Sequence, residues 1–330
     1  MKKICYILMA VLSAVMFASC EGFLTKPPQT ALSPDSFFRS ATDLELWTNK
    51  FYSDLLEDTD IAETFADDMM GSSLSALQKG TRTTSSKSWS TPSVNSDGYI
   101  SSNGTFTPLM NINYFLEHSS NCQDEAVREK YNGVAYFFRA YFYYKMVRQY
   151  GDMPWYDYVI GSADAASLNK PRDPRGYVMM KVLEDCDKAY ERLPEAWGSG
   201  PVFHVSKNAA MALKARTLLY AASPLFNEDG DKAKWKTAAK ACAALINKAD
   251  EYGYMPLPKL SNLWNKNYEL NNELIFGRME APANSFESQN FPVGIDGGGS
   301  TGHCPTQNLV EAFETTNGKP VKDTKYSSAD

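Results

Sequence analysis

The fold of this chain is decided by residues 125–150, which read EAVREKYNGVAYFFRAYFYYKMVRQY. Apolar side chains recur there with the period of an α-helix and form one broad face: Val134, Phe137, Phe138, Tyr141 and Phe142. So many apolar positions predict a long helix that is buried on several sides. Gly151 follows the last periodic residue and Pro154 prevents the helix from resuming, so we expect the helix to end at Tyr150.

Two further helices are predicted on either side of this one. Thr42 and Glu45 have the spacing of a capping box, and an apolar stripe follows at helical intervals: Leu44, Trp47, Phe51 and Leu55. A later helix is predicted to open at Asp173-Pro174, an N-cap followed by proline, and to end near Leu193-Pro194. The apolar stripe of this later helix consists of Val178, Val182, Cys186 and Ala189.

Two alanine-rich helices are predicted between residues 206 and 249. Ser206 is the expected N-cap of the first, AAMALKARTLLYAA, whose small side chains let a neighbouring helix approach closely. The second carries an apolar pattern at helical spacing: Trp235, Ala238, Ala239, Cys242, Ile246 and Ala249. Short links and alanine at the contacts are typical of tetratricopeptide-like helical pairs, although the spacing is too uneven for a strict 34-residue repeat. The predicted fold class is therefore mainly α, a tetratricopeptide-like helical scaffold.

Two loop-rich segments interrupt this scaffold. Residues 67–108 are dominated by Ser, Thr, Gly and Asn, and residues 281–309 by Pro, Asn and Gly, without a sustained helical or strand period. Both contain flat aromatic rings beside short polar side chains, the groups that stack on a sugar ring and bond to its hydroxyls. The predicted ligand-binding residues are Trp89, Asn95, Asp97 and Tyr99 in the first segment and Phe286, Gln289, Asn290 and Phe291 in the second. The alternative for each ring is that it packs its own loop onto the core.

The N-terminus has the layout of a secretory signal. Lys2 and Lys3 precede an apolar run of 15 residues, which is too short to span a bilayer, and Ala18 and Ser19 then lead to Cys20. This order resembles the lipobox of bacterial lipoproteins, in which the cysteine is acylated, whereas the alternative is a plain signal with a chance cysteine. We expect a signal peptide over residues 1–19, a lipid-anchored tether over 20–40 and a helical domain over 41–330.

Composition and spacing argue against several function classes. The chain has 33 Lys and Arg against 39 Asp and Glu, a net charge of −6, so no nucleic-acid partner is expected. The cysteines outside the signal have no zinc spacing, and Cys186 and Cys242 lie on apolar helix faces. The three histidines are scattered, so we expect no metal and no cofactor.

No catalytic motif stands out, and we expect the protein not to be an enzyme. Asp67 and Asp68 are adjacent, whereas a glycosidase places its two carboxylates on opposite sides of the scissile bond. The GGGS at 297–300 lacks the context of a phosphate-binding loop, and no serine lies in GxSxG. Binding is therefore the favoured activity.

Four stretches together resemble the SusD/RagB family of outer-membrane nutrient-binding lipoproteins. They are CEGFLTKPPQTALSPDSFF at 20–38, VAYFFRAYFYYKMVRQYGDMPWY at 134–156, HVSKNAAMALKARTLLYAASPLFN at 204–227 and CPTQNLVEAFETTNGKP at 304–320. The resemblance implies a SusD-like helical fold and a surface-exposed, lipid-anchored protein of the outer membrane. It also implies capture of an oligosaccharide and its delivery to a SusC-like TonB-dependent transporter.

The resemblance leaves two alternatives open. Some family members bind peptides instead of sugars, and a non-catalytic scaffold for envelope proteins is a third possibility. Family members usually continue well beyond the segment that matches CPTQNLV, so we expect this chain to be incomplete at its C-terminus.

Overall fold

The computed structural model describes residues 37–56, 67–71, 73–74, 78–81, 106–161, 163–197, 204–252, 273–277, 294–295, 304–316 and 318–320. In chain order the elements are α1 (Ala41–Leu55), β1 (Met69–Met70), α2 (Thr107–His118), α3 (Glu125–Tyr150), α4 (Ala165–Leu168), α5 (Arg175–Arg192), α6 (Lys207–Ala222), α7 (Lys232–Ile246), α8 (Ala249–Tyr252), β2 (Cys304–Pro305) and α9 (Gln307–Ala312). Short 3₁₀ turns lie at Ser119–Asn121 and Pro224–Phe226. No helix in these ranges is long and apolar enough to cross a membrane.

The long helices stack in a row. α1 and α2 pack on one side of α3, α5 packs on α3, α6 on α5, and α7 on α6. From α3 to α7 the long helices contact mainly their neighbours in sequence, which is the arrangement of helical repeat proteins, whereas α1 contacts α3 more than α2. The core lies along α3, whose rings Phe137, Phe138 and Phe142 are buried, as predicted, while Tyr141 is partly buried.

The bounds of α3 are those that the sequence predicts. The Asp124 carboxylate accepts a hydrogen bond from the Val127 amide (3.1 Å) and caps the N-terminus, and Gly151 at φ +74° ends the helix. Gly133, inside the helix, lies against the end of α5, where an added Cβ would be 3.0 Å from Leu193 Cγ. Glycine at this position lets α3 and α5 approach closely.

Two predicted helix starts are wrong. The capping box of α1 is formed by Ser40 and Asp43 and not by Thr42 and Glu45. The Ser40 hydroxyl accepts from the Asp43 amide (3.2 Å), and the Asp43 carboxylate accepts from the Ser40 amide (2.9 Å). The sequence contains two overlapping candidate capping boxes, and the one that begins at Ser40 forms in the structure.

At the start of α5, the N-cap is Pro174 and not Asp173. Asp173 instead pairs with the segment after α3: its backbone exchanges hydrogen bonds with Met153 (3.1 and 3.2 Å), and its carboxylate accepts from the Trp155 amide (2.8 Å). Asp173 thereby fixes the return of the chain from α3 to α5. The predicted end near Leu193 is confirmed, since Leu193 is the C-cap.

The helix α2 was not predicted. It begins at Thr107 with Pro108 in its first turn and buries Leu109, Ile112 and Phe115. Its first residues continue the Ser/Thr-rich composition of the preceding segment, which hides the helical start.

The predicted start of α6 is confirmed, because Ser206 is its N-cap, although the Ser206 hydroxyl makes no hydrogen bond among the described residues. The apolar stripe of α7 is mostly exposed to solvent: only Ala238 is buried, while Trp235 is 44% and Ile246 is 69% exposed.

The described cysteines are free thiols: Cys122, Cys186, Cys242 and Cys304. Of the two that were predicted to lie on apolar helix faces, Cys186 is buried and Cys242 is partly buried.

A buried ion pair joins the helices around α3. Arg139 and Asp185 are 4% and 1% exposed, and the guanidinium donates two hydrogen bonds to the carboxylate (2.7 and 2.9 Å). A third guanidinium N–H donates to the Asn113 side-chain oxygen (3.2 Å). The Asn113 amide in turn donates to the carbonyls of Tyr156 and Tyr158 (3.1 and 2.9 Å). This network connects α2, α3, α5 and the segment that follows α3.

We predict that Asp185→Asn lowers the free energy of unfolding by about 3–5 kcal/mol, because it leaves the Arg139 charge buried without a counter-ion. The matched control is Asp187→Asn, two residues away on the same helix, where the carboxylate is exposed and pairs with Lys214. An exposed pair of this kind contributes about 1 kcal/mol or less. Urea denaturation of both variants measures the difference, and equal losses would contradict a special role for the buried pair.

Candidate functional site

The eight predicted ligand-binding residues lie outside the residues that the structure describes, and so does Cys20. Their roles therefore stay predictions. What the structure describes is the base of each loop-rich segment: residues 67–71 before Trp89, and residues 304–316 after Phe291.

These two bases are joined by a short antiparallel pair of strands. In it β1 pairs with β2, so that Met69 lies opposite Pro305 and Met70 opposite Cys304. The Thr306 amide extends the pairing by donating to the Asp68 carbonyl (2.8 Å), across 238 residues of sequence. The pairing places the start of the first loop-rich segment beside the end of the second.

Side chains reinforce this strand junction. The Thr306 hydroxyl donates to the carbonyls of Asp67 and Asp68 and caps α9 by accepting from the Leu309 amide (3.4 Å). The Asn308 amide donates to the Asp67 carboxylate (3.4 Å). The threonine and asparagine of CPTQN thus contact the first loop-rich segment directly.

The two adjacent aspartates lie at this junction with unequal exposure. Asp67 is exposed, whereas Asp68 is partly buried, and its Oδ1 has no hydrogen-bond partner among the described residues. Within the described part of the chain, no group of three His, Cys, Asp or Glu side chains is placed to hold a metal ion. The hydrogen bonds of Thr306 and Asn308 hold the two bases together, and we call this junction a structural brace.

A ring-lined hollow of about 360 Å³ between α1 and α2 was missed by the sequence analysis. The rings of Trp47 and Tyr114 stack there, with centroids 5.5 Å apart, and the Trp47 indole N–H donates to the Asn111 carbonyl (3.1 Å). The sequence signal was Trp47, which lies on the α1 stripe, but three of the seven lining residues, Met110, Asn111 and Tyr114, come from α2. Because the two rings stack on each other and the indole N–H already has a hydrogen-bond acceptor, we assign the hollow to packing of α1 against α2.

Two aromatic side chains, Trp197 and His204, contact each other between the end of α5 and the start of α6. The rings of Trp197 and His204 stack with centroids 4.8 Å apart, and the Trp197 indole N–H donates to the Val205 carbonyl (2.6 Å). The Val205 amide donates to the Tyr52 hydroxyl (3.0 Å), which attaches this segment to α1. Burial lowers the pKa of His204, the Glu45 carboxylate opposes this shift, and the Lys130 ammonium adds to it.

We predict that stability falls with acid through His204. A histidine whose pKa is lowered by folding takes up a proton more readily when unfolded, so its neutral form supports the fold above its unfolded pKa of about 6.5. The support is lost as the pH falls from there through the lower folded pKa. Urea denaturation between neutral and mildly acidic pH should show a steeper loss for the wild type than for His204→Gln, and parallel curves would contradict the prediction.

The described elements define a class of protein: a helical-repeat scaffold on which two loop-rich segments are joined at their bases. A family model described as SusD-like, "starch-binding associating with outer membrane", matches residues 23–219. The chain therefore belongs to the SusD-like family, and the resemblance seen in its sequence is confirmed.

Individual relatives agree with the family. The SusD-like protein P2 of Formosa agariphila is 24% identical over 252 residues, which cover 74% of this chain and 46% of that protein. A SusD-like protein from Bacteroides fragilis superposes with a TM-score of 0.67 at 25% identity, covering 92% of this chain and 58% of that one. A SusD-like carbohydrate-binding protein from the same species has a TM-score of 0.65 at 18% identity, with 89% and 56% covered.

These likenesses confirm the predicted mainly α, tetratricopeptide-like fold of the SusD kind. The chain spans about half the length of the curated relative and less than three fifths of the two solved structures.

Proposed function

We propose that this protein captures oligosaccharides at the outer membrane and delivers them to a SusC-like TonB-dependent transporter. The observation that carries the proposal is the pairing of β1 with β2, because it brings together the bases of the two segments that hold the candidate rings. The family description, starch-binding and associated with the outer membrane, supports the ligand class and the location.

In this proposal, the strand junction lets the two loop-rich segments serve one ligand. Each loop alone offers one or two rings and a few amides, and ordering a free loop around a sugar costs conformational entropy. Joined bases remove part of that cost before the ligand arrives. We therefore place Trp89, Tyr99, Phe286 and Phe291 around one site, with the nearby polar side chains of both segments bonding to hydroxyls.

We propose a binding role without catalysis. Asp67 and Asp68 are consecutive residues whose backbone carbonyls accept hydrogen bonds from the Thr306 hydroxyl, so the chain fixes them at the brace. Such a pair does not flank a glycosidic bond in the manner of hydrolytic carboxylates.

We predict that Trp89→Ala weakens binding of malto-oligosaccharides, the fragments of starch, about thirtyfold. This corresponds to roughly 2 kcal/mol, the scale of a buried aromatic anchor. Phe291→Ala in the other segment should also weaken binding of the same ligand, and titration of the wild type should give one ligand per protein, because both rings contact one ligand. Calorimetric titration and thermal melts measure these effects.

The matched control is Trp235→Ala, an exposed tryptophan on α7 that lies on neither loop-rich segment and should leave glycan affinity unchanged. A titration that shows two ligands per protein, with each single variant weakening only one of them, would separate the two segments into independent sites. Binding of peptides and not of any glycan would replace the proposed ligand class.

We also propose that Cys20 carries the membrane anchor. Each buried methylene of an acyl chain contributes about 0.8 kcal/mol, and a single chain binds only marginally, so multiple acylation makes the anchor firm. Metabolic labelling with a fatty-acid analogue should mark the wild type and not Cys20→Ala. Retention of label in the variant would refute the assignment.

A further inference from the structure

The helices α6 and α7 form a basic region in an acidic protein. Residues 207–248 contain eight Lys and Arg against three Asp and Glu, a net charge of +5, whereas the whole chain carries −6. The three acidic residues of this region lie in the turn between the helices, at 228, 229 and 231. The helices themselves carry positive charge only.

The charges of α7 are arranged on one face. Lys232, Lys236 and Lys240 are spaced four residues apart, so they lie in a row along the helix, and all three are exposed. Within the part of the chain that the structure describes, none of the three has an ion-pair partner. Like charges at this spacing destabilise a helix by a few tenths of a kcal/mol per pair, so an unpaired row is a feature that folding alone does not favour.

Exposed apolar side chains flank this lysine row. Trp235 and Ile246 lie on the same helix and are 44% and 69% exposed. Ile246 borders an open hollow of about 580 Å³ together with Arg216 and Leu219 of α6, and Leu219 is 47% exposed. Basic side chains and a tryptophan beside aliphatic ones are the composition of helices that lie on an anionic membrane surface.

We propose that this surface, defined by Lys232, Lys236, Lys240, Trp235, Ile246 and Leu219, docks on a membrane surface rich in anionic lipid headgroups. The row of three unpaired ammonium groups complements lipid phosphates. The indole and the two aliphatic side chains fit the boundary between headgroups and acyl chains, where tryptophan is enriched. Docking through α6 and α7 is distinct from the anchor at Cys20 and from the proposed glycan site.

Vesicle binding tests the proposal. The full chain carrying Cys20→Ala, so that no acyl chain contributes, is mixed with vesicles of phosphatidylcholine alone or with added phosphatidylglycerol, and bound protein is sedimented. We expect binding to the anionic vesicles that weakens with salt and falls about tenfold or more in Lys232→Gln/Lys236→Gln/Lys240→Gln. The apolar run at 4–18 is the same in every variant, so the salt-sensitive difference reports the lysines.

The matched control is Lys50→Gln/Lys79→Gln/Lys181→Gln, which removes the same charge outside α6 and α7 and should retain binding. An equal loss in both triple variants would show attraction by net charge alone and overturn the proposal, as would unchanged binding of the α7 variant. Salt-sensitive binding to polyglutamate but not to vesicles would replace the membrane by an acidic protein partner.

Trp235→Ala should weaken vesicle binding at both low and high salt, and thermal melts verify that each variant is folded.

Discussion

The Arg139–Asp185 ion pair is the constraint on which the helical stack depends. A buried guanidinium is tolerated only when its N–H groups are satisfied, and here Asp185 takes two of the hydrogen bonds and Asn113 a third. The Trp155 ring lies 5.4 Å from the guanidinium carbon and shields it further. Because these partners come from α2, α5 and the segment after α3, a shift of one helix by a single turn would leave the charge unpaired. The polar network therefore favours one register of α2, α3 and α5.

In the proposed function, recognition belongs to the two loop-rich segments and not to the helical scaffold. The long helices bury much of their apolar surface against one another. The β1–β2 junction connects the bases of the two segments across the sequence. Variable loops over a fixed junction allow the ligand contacts to change while the helices and their core stay the same.

The sequence predicted most where helical periodicity is long and uninterrupted. The bounds of α3 follow from its aromatic face and from Gly151, and the end of α5 follows from Leu193-Pro194. Prediction failed where local signals compete or are weak: two overlapping capping boxes precede α1, and α2 begins within a Ser/Thr-rich composition. The strand junction was not predicted at all, because two-residue strands have no period and the adjoining hydrogen bond from Thr306 to Asp68 spans 238 residues. For the ligand site, the sequence indicates the residue types and the segments, but the grouping depends on this long-range pairing.

The net charge of the whole chain has the opposite sign to the charge of the α6–α7 region. A net charge of −6 argues against polyanion binding by the chain as a whole, yet the short screening length in salt means that a surface responds to the charges within about 10 Å of it. On α7 those neighbours are lysines at positions 232, 236 and 240, and the acidic residues nearest in sequence, at 228, 229 and 231, lie at the N-terminal end of the row. The separation of charge between α6–α7 and the rest of the protein therefore gives the molecule an electrical polarity. An anionic membrane would orient such a molecule with α7 towards the lipid and the acidic remainder away from it.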